Sequence, residues 1–308
     1  MYDYSNLKEK PNNTCIVCMS DKQKKIGIRG NREYFGSDKS VTPHCVTNVV
    51  ECKNCGFVYI NPTFEGIDDV ESIYYSSIDL YVYNLKKSVE DMFQKRVDII
   101  SQHASGKYGL DVGPGKGEFL NQLSKNGYTA EGIEPSANFC EFASKTFKLK
   151  MHNLTLDNFI TENKYDFISS LHSLEHMNNP HLFFNSAHSL LNEDGILYIE
   201  VPNTNAAIVR IIEFIFKIIG LGWSSRLCPL HQPFHKHGYN LKSLSYILKV
   251  NNFELINTFT LTGTDRGYTE YFGLKDIISR LKYLITEFIE IFGQKECLVV
   301  VAKRKTVI

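Results

Sequence analysis

Residues 108–120, YGLDVGPGKGEFL, combine a short apolar run, three closely spaced glycines and the start of a second apolar run. The first run predicts a β-strand, and the second predicts a helix from about Gly117 to Lys125. The glycines at 113, 115 and 117 allow the connecting turn to approach a bound group closely. A strand, a glycine-rich turn and a helix in this order form the ligand-binding corner of a doubly wound sheet.

The chain after this corner alternates between predicted strands and helices, as a parallel α/β sheet requires. Predicted strands cover 129–135, 165–173, 196–202, 253–261 and 297–304, with a short one near Lys150, and predicted helices cover 136–147, 180–191 and a stretch after Asn240. We therefore predict a doubly wound, Rossmann-like α/β domain over residues 105–308, with an insertion at about 204–239.

The acidic residues around the glycine turn indicate which ligand it binds. Position 118, where a dinucleotide-binding turn has its third glycine, is Glu118, and a carboxylate there would repel a pyrophosphate. Asp111 precedes the turn, and Glu134 follows about twenty residues later, where a carboxylate can accept hydrogen bonds from both ribose hydroxyls. Together these residues favour an adenosyl ligand without a phosphate chain.

Two Cys-x-x-Cys motifs near the N-terminus, CIVC and CKNC, predict a structural zinc site. Each motif offers two thiolates on a tight turn, and four thiolates form a closed tetrahedral site that supports folding. The four predicted ligands are Cys15, Cys18, Cys52 and Cys55. We therefore predict a zinc-ribbon-like module over residues 1–62. His44 and Cys45 lie between the motifs and are alternative ligands, although they lack the spacing.

The charge balance and the N-terminal residues restrict the partners and the compartment. Lys and Arg together number 34, as do Asp and Glu, and the isoelectric point is about 7.1. A neutral chain without a Lys/Arg stripe has no general attraction for nucleic acid, so we expect no nucleic-acid partner. The N-terminal residues MYDYSNLKEKPNNT contain no apolar signal segment, which predicts a cytoplasmic protein.

Four segments resemble the signature segments of class I S-adenosylmethionine-dependent methyltransferases. They are LDVGPGKGEFL, GIEPS, YDFISSLHSLEHMNNPHLFF and LNEDGILYIEVPN, and the resemblance extends over residues 105–304. It implies seven strands in the order 3-2-1-4-5-7-6, with the last strand, CLVVVAKR, antiparallel. With its N-terminal zinc module the chain is similar to a branch whose members often methylate sugars or other small metabolites, including nucleotide-linked sugars.

The resemblance also implies which residues bind S-adenosylmethionine. Gly113 and Gly115 would approach its methionine moiety, and Glu134 would bind its ribose, with Asp111 at the same corner.

Two further segments complete this implied cofactor site. The segment NLTLDNF is similar to the adenine-binding turn, which places Thr155 and Leu156 beside the base. His172 stands where the end of the fourth strand lines the cofactor in that family.

Two histidine-rich segments, HSLEH and HQPFHKHGY, supply candidates for a catalytic base. If the acceptor is a hydroxyl, a positioned base removes its proton, and histidine titrates near neutrality. His176 and His235 are the leading candidates, followed by His231. Tyr75 belongs to a tyrosine-rich segment with a bridging helix, 63–104, and could close the site from the N-terminal side. A structural or surface role is the alternative for each histidine.

Three function classes remain open from the sequence. The first is a methyltransferase that acts on a small molecule such as a sugar or surface-glycan precursor, including a nucleotide- or lipid-linked sugar. The second is an RNA methyltransferase that uses the zinc module to bind its substrate, and the third is a non-catalytic zinc-binding scaffold. The neutral charge counts against the second class, and the complete set of cofactor-binding residues counts against the third.

An apolar segment at 206–222 predicts a helix with Arg210, Glu213 and Lys217 on a narrow polar stripe. At about seventeen residues with three charges, it is short for a membrane span. A lid, a packing helix or a dimer helix is one interpretation. The other is an interfacial helix that makes peripheral contact with a membrane and meets a lipid-linked acceptor.

Overall fold

The computed structural model describes residues 7–30, 46–66, 87–229, 234–262 and 293–305. The strands among them are β1 (Lys8–Lys10), β2 (Gln23–Gly30), β3 (Val46–Cys52), β4 (Val58–Asn61), β5 (Thr63–Glu65), β6 (Tyr108–Val112), β7 (Thr129–Ile133), β8 (Lys150–His152), β9 (Tyr165–Leu171), β10 (Leu191–Pro202), β11 (His237–Gly238), β12 (Phe253–Leu261) and β13 (Cys297–Arg304). The α-helices are α1 (Lys87–His103), α2 (Glu118–Lys125), α3 (Ala137–Phe147), α4 (Pro180–Leu190), α5 (Ala207–Ile218) and α6 (Leu241–Val250).

The central sheet has seven strands in the order β12-β13-β10-β9-β6-β7-β8. Its strands β8, β7, β6, β9 and β10 are parallel, and β13 is antiparallel to both β10 and β12. Numbered along the chain within this sheet, the order is 3-2-1-4-5-7-6. The predicted doubly wound topology, with the last strand antiparallel, is therefore confirmed.

The strand–turn–helix corner forms because small residues occupy its crowded positions. A side chain at Gly109 would place a Cβ only 2.0 Å from the ring of Phe167 on the neighbouring strand β9. Gly117 begins α2 with φ 81°, a conformation that favours glycine over other residues. The glycines thus allow β6 to approach β9 and allow the chain to turn sharply from β6 into α2.

Side-chain caps fix the starts of two other helices of the domain. The Asn179 side chain accepts a hydrogen bond from the amide of Leu182, and Pro180 occupies the first turn of α4. Asn240 and Ser243 form a capping box at α6. These sequence signals explain why both helices begin within about one residue of the predicted positions.

A smaller four-stranded sheet near the N-terminus has the order β11-β4-β3-β2. Three of its strands come from the predicted module 1–62, but β11 comes from the segment predicted as an insertion, 204–239. His237 pairs with Tyr59, and Gly238 pairs with Val58. The insertion therefore completes the N-terminal sheet, which the sequence patterns did not indicate because the pairing joins distant segments.

The hydrophobic core is continuous between the N-terminal sheet and the central sheet. One buried cluster contains Phe57 and Tyr59 from the N-terminal module, Ile199 from β10 of the central sheet and Leu244 from α6. The rings of Phe57 and Tyr239 lie 4.9 Å apart, edge to face. A second cluster packs α1, α2 and α3 on the opposite face of the central sheet.

Several element boundaries differ from their predictions. The strand predicted at 165–173 ends at Leu171, because His172 adopts φ 51°, and the helix predicted at 206–222 ends at Ile218. Strand β10 begins at Leu191, five residues before its predicted start, and its register with β9 shifts between Leu191 and Ile196. No helix within the described ranges is long and apolar enough to cross a membrane.

Candidate active site

The carboxyl end of β6 brings the predicted glycine turn against Glu134, which directly follows β7. The amide of Gly115 donates a hydrogen bond to Oε2 of Glu134 at 3.1 Å, and the amide of Ser136 donates to Oε1 at 2.8 Å. Gly113 and Gly115 have φ values of 77° and 55°. The Glu134 side chain is almost completely buried, and burial raises its pKa while the two amides oppose that rise.

Asp111 lies inside the same corner and has no solvent contact of consequence. Its Oδ1 accepts a hydrogen bond from the hydroxyl of Ser169 at 2.7 Å. Burial raises the pKa of this carboxyl to about 7, and the negative charge of Glu134 adds to the rise, whereas Ser169 opposes it. A group that binds here with hydroxyls or with positive charge would relieve this cost.

The predicted adenine-binding turn also lies beside Glu134. The amide of Glu134 donates to the carbonyl of His152 at 3.0 Å, and the Asn153 side chain donates to the carbonyl of Glu134 at 3.1 Å. A short 3₁₀ turn, Leu156–Asn158, follows at once, with Thr155 as its N-cap. The structure therefore brings together the glycine turn, Glu134 and the Thr155–Leu156 segment, which are separated in the sequence.

His172 begins the next part of the site, at the end of β9. Its Nε2 lies 3.3 Å from a carboxylate oxygen of Glu200 and 3.5 Å from Sγ of Cys297, and its Nδ1 lies 3.6 Å from Glu175. Burial alone would lower the pKa of His172, but these partners raise it well above its ordinary value. The adjacent Ser173 donates its hydroxyl to the carbonyl of Val112 at 2.9 Å, which places His172 next to the glycine turn.

Glu175, His176 and His235 form a cluster. One carboxylate oxygen of Glu175 and one ring nitrogen of each histidine all lie within 4.8 Å of one another. Glu175 is fully buried, and neither carboxylate oxygen has a hydrogen-bond partner among the described residues. Nε2 of His235 lies 3.6 Å from this carboxylate, and the rings of His176 and His235 are 5.2 Å apart. Burial alone would raise the pKa of Glu175, but His172 and the two other histidines lower it to about 2.

The structure adds three residues that the sequence analysis did not select, namely Arg96, Glu200 and Cys297. Glu200 is buried on β10, where it pairs with Arg96 from α1 and faces His172. Burial would raise the pKa of Glu200, but His172 and Arg96 lower it to about 2. The sequence contains one signal for Glu200, because this carboxylate lies inside the apolar run ILYIEVP. A charge that is buried in such a strand requires a partner.

His231 and Tyr75 lie outside the described residues, as does most of the tyrosine-rich part of 63–104. The structure brings the two leading candidates, His176 and His235, together although they are far apart in the sequence. Near them the side chain of Lys236 donates a hydrogen bond to the side-chain oxygen of Asn178, 58 positions away in the sequence.

The four N-terminal cysteines converge in the way that a metal site requires. Sγ atoms of Cys15 and Cys55 are 3.6 Å apart, those of Cys18 and Cys52 are 3.4 Å apart, and all four lie within 4.8 Å of one another. Tetrahedral zinc with Zn–S bonds of about 2.3 Å would separate its sulfur ligands by about 3.8 Å. The cluster therefore fits a tetrahedral metal ion.

The fold is that of S-adenosylmethionine-dependent methyltransferases, as the sequence predicts. A family model described as a methyltransferase domain matches residues 81–258, more than half of the chain. The chain belongs to this methyltransferase-domain family.

Individual relatives and solved structures agree with this assignment. The chain is 28% identical over 145 residues to a ubiquinone biosynthesis O-methyltransferase of Glaesserella parasuis, covering 41% of this chain and 61% of the relative. A protein with the same description from Actinobacillus pleuropneumoniae is 29% identical over 145 residues, covering 41% and 62%. The chain thus matches about three-fifths of the length of these relatives.

Two solved methyltransferases share the fold at low sequence identity. Magnesium protoporphyrin IX methyltransferase from Synechocystis is 14% identical with a TM-score of 0.51, covering 77% of this chain and 100% of that one. An S-adenosylmethionine-dependent methyltransferase from Thermotoga maritima is 15% identical with a TM-score of 0.50, covering 76% and 99%.

Proposed function

We propose that this chain transfers the methyl group of S-adenosylmethionine to a hydroxyl of a small-molecule acceptor. Family membership supports the reaction class, and the description of the bacterial relatives as O-methyltransferases supports an oxygen acceptor. One observation carries the proposal: His176 and His235 meet beside the buried carboxylate of Glu175, close to the predicted cofactor corner.

The cofactor corner fits an adenosyl ligand. The backbone amides of Gly115 and Ser136 hold the Glu134 carboxylate in one orientation. The carboxylate oxygens retain lone pairs that can accept hydrogen bonds from ribose hydroxyls. A Cβ added at Gly115 would meet no heavy atom within 4 Å, so the backbone there is open to close approach by a ligand. S-adenosylmethionine would supply an activated methyl group at this corner.

Within the site, His235 would accept the proton that the acceptor hydroxyl loses as the new bond to carbon forms. The nearby negative charge of Glu175 would stabilise the resulting imidazolium, because opposite charges within about 4 Å attract strongly in a buried site. His176 is the second candidate for this proton transfer, since its ring lies against that of His235. The resemblance assigns the Thr155–Leu156 turn to the adenine.

For the acceptor we propose a sugar or a surface-glycan precursor, including a nucleotide- or lipid-linked sugar. Its support is the similarity of the N-terminal Cys-x-x-Cys module to that of a branch with sugar-modifying members. The equal numbers of acidic and basic residues favour a small acceptor over RNA.

We further propose that the four-cysteine cluster binds one structural zinc ion. The support is the mutual distance of the four sulfur atoms and the burial of three of the four cysteines, Cys15, Cys52 and Cys55. A closed set of four thiolates leaves no open ligand position, so this ion would stabilise the module rather than take part in methyl transfer.

The test uses the whole chain. Calorimetry measures the affinity for S-adenosylhomocysteine, and transfer of a labelled methyl group is then followed with nucleotide sugars and with catechols as separate acceptor sets. Nuclear magnetic resonance of the product distinguishes a methyl group on oxygen from one on nitrogen or carbon. A chain that does not bind S-adenosylhomocysteine contradicts the proposal, and a product methylated on nitrogen or carbon contradicts the oxygen acceptor alone.

A further inference from the structure

Helix α5 carries an unusually apolar outer surface. Ile211, Phe214, Ile215, Ile218 and the following Ile219 recur at the spacing of one helical face, and we call them the apolar face of α5. Phe214 and Ile218 are 63% and 67% exposed, and none of the helix residues is buried. This one face holds five of the eleven large hydrophobic side chains that are exposed among the described residues.

Contacts on the opposite side hold α5 against the N-terminal sheet. Oε1 of Glu213 accepts hydrogen bonds from the hydroxyl of Ser224 at 2.8 Å and from the amide of Ser225 at 2.7 Å. Ser224 in turn donates its amide to the carbonyl of Ile28 on β2 at 3.0 Å, and the rings of Phe216 and Trp223 pack edge to face. The apolar face therefore points outward because the inner side of the helix is fixed.

The charges on α5 are arranged asymmetrically around this face. Glu213 is the only acidic residue of the helix, and its carboxylate is turned inward to the serines. Arg210 and Lys217 are exposed, and no carboxylate in the described part of the chain lies within ion-pair distance of either. At helical spacing both cations border the same edge of the apolar face, next to Phe214. The outer surface of α5 is thus apolar, with two basic side chains along one edge.

We propose that α5 docks on an anionic lipid surface, lying in the plane of the membrane interface. Twelve residues extend over about 18 Å, which is too short to cross a hydrocarbon core of about 30 Å but sufficient for an in-plane helix. Helices with an apolar face and Arg or Lys beside it bind such a surface, because the apolar side chains enter the boundary of the acyl region and the cations contact the anionic headgroups. A second copy of this chain that packs its own apolar face antiparallel against this one would bring the two basic edges together.

The position of α5 in the fold gives the docked surface access to the site. The helix follows the carboxyl end of β10, and the chain after it leads to His235 and β11. The carboxyl ends of the parallel strands form the edge at which ligands bind. Docking would therefore hold the candidate active site near the membrane surface, and this inference does not depend on which acceptor is methylated.

The experiment is vesicle flotation with the full chain. We expect binding to phosphatidylcholine vesicles that contain phosphatidylglycerol, weaker binding to pure phosphatidylcholine, and release by added salt. The double variant Phe214→Ser/Ile218→Ser should reduce partitioning about tenfold or more, because it removes the two most exposed side chains of the apolar face. Arg210→Gln/Lys217→Gln should lower binding to the anionic vesicles by roughly fivefold per charge and abolish the preference for them.

The matched control is Leu182→Ser/Ile256→Ser, which removes two exposed apolar side chains elsewhere on the chain. It should bind vesicles like the unaltered protein. Unchanged affinity for S-adenosylhomocysteine shows that each variant is folded, and it separates failure of docking from failure of the proposed function.

Three outcomes would overturn the proposal. The first is an unaltered protein that does not bind anionic vesicles, and the second is an equal loss of binding in the control variant. The third is a dimer, measured by light scattering, that dissociates in Phe214→Ser/Ile218→Ser while vesicle binding stays unchanged. That last result would assign the apolar face to a second copy of the chain.

Discussion

Arg96 and Glu200 form a bidentate ion pair although both side chains are buried. Nε of Arg96 lies 3.0 Å from Oε2 of Glu200, and Nη2 lies 2.6 Å from Oε1. The pair joins α1 to the middle of the central sheet, and Glu200 also faces Nε2 of His172 at 3.3 Å. The hydroxyl of Tyr198 donates to the same carboxylate at 3.0 Å. A helix from the bridging segment is thereby linked directly to the candidate active site.

Replacing one partner of this pair should strongly destabilise the fold. Arg96→Met leaves the carboxylate of Glu200 buried without its main counter-charge, and we expect a loss of about 3–5 kcal/mol in the free energy of unfolding. Urea denaturation measures this loss. The double variant Arg96→Met/Glu200→Met should recover much of the stability, because neither buried charge remains. The exposed pair of Lys125 and Glu90 provides a control, since Lys125→Met should change stability little. Equal losses of stability in Arg96→Met and in the control Lys125→Met would contradict this explanation.

The Glu134 side chain should determine cofactor affinity. Glu134→Ala removes the carboxylate that would accept the ribose hydrogen bonds, and we expect S-adenosylhomocysteine to bind more weakly by roughly 1–3 kcal/mol. Calorimetry measures the dissociation constant directly. Glu254→Gln, an exposed change at the far edge of the sheet on β12, is the control and should bind normally. If Glu134→Ala binds as tightly as the unaltered chain, the ribose lies elsewhere.

The zinc proposal predicts about one equivalent of metal per chain after purification without added zinc. Cys52→Ser should lose this metal and lower the thermal stability of the N-terminal sheet, because formation of the site and folding are coupled. Cys228→Ser, outside the cluster, should retain the metal. Plasma emission spectroscopy and thermal denaturation provide the two measurements. Full metal content in Cys52→Ser would show that the four-thiolate assignment is wrong.

The sequence predicts the parts of this molecule that depend on local patterns. The strand–turn–helix corner at 108–125 and the cap at Asn240 follow from residue type and spacing, and the order of the central strands follows from the family resemblance. The two Cys-x-x-Cys motifs likewise indicated the cysteine cluster, because each pair is a complete local unit.

The features that the sequence did not predict depend on contacts between distant segments. Strand β11 is two residues long, and it exists only because β4 offers a partner to it. The position of Glu200 in an apolar strand indicates a buried charge. No local sequence pattern identifies Arg96, 104 positions away, as its counter-charge. Two partners of His172 were not predicted for the same reason, since Glu200 and Cys297 lie on β10 and β13, far from His172 in the sequence.

The raised pKa of Asp111 makes stability depend on pH. The folded chain holds this proton up to about pH 7, whereas an unfolded aspartate releases it near pH 4. Between these values the folded chain binds more protons, so stability falls as the pH rises through this range. Asp111→Asn should remove this component, which is on the order of 2 kcal/mol between pH 5 and pH 8. Urea denaturation of the cofactor-free chain at both pH values measures it, and Asp98→Asn on the exposed side of α1 is the control. An unchanged pH dependence in Asp111→Asn would contradict the pKa assignment.

The last prediction concerns the catalytic base, and its variants are His235→Ala and His176→Ala. If one histidine removes the acceptor proton, its loss should lower kcat by about a hundredfold or more and leave the affinity for S-adenosylhomocysteine nearly intact. The rate of the unaltered enzyme should rise with pH as the histidine loses its own proton, and the variant should lack this rise.

A histidine that only positions the acceptor gives a different result, because it binds the ground state and the transition state equally. Its loss would raise KM and preserve both kcat and the pH profile. His188→Ala is the matched control, since His188 lies on α4 against Phe253, away from the Glu175 cluster. The two candidates can be separated by their relation to Glu175: Glu175→Gln removes the charge 3.6 Å from Nε2 of His235. If His235 is the base, this change should shift the rise in rate to lower pH, because the imidazolium loses its stabilising partner. An unshifted profile in Glu175→Gln, with full kcat in His235→Ala, would transfer the role to His176 or to a residue outside this cluster.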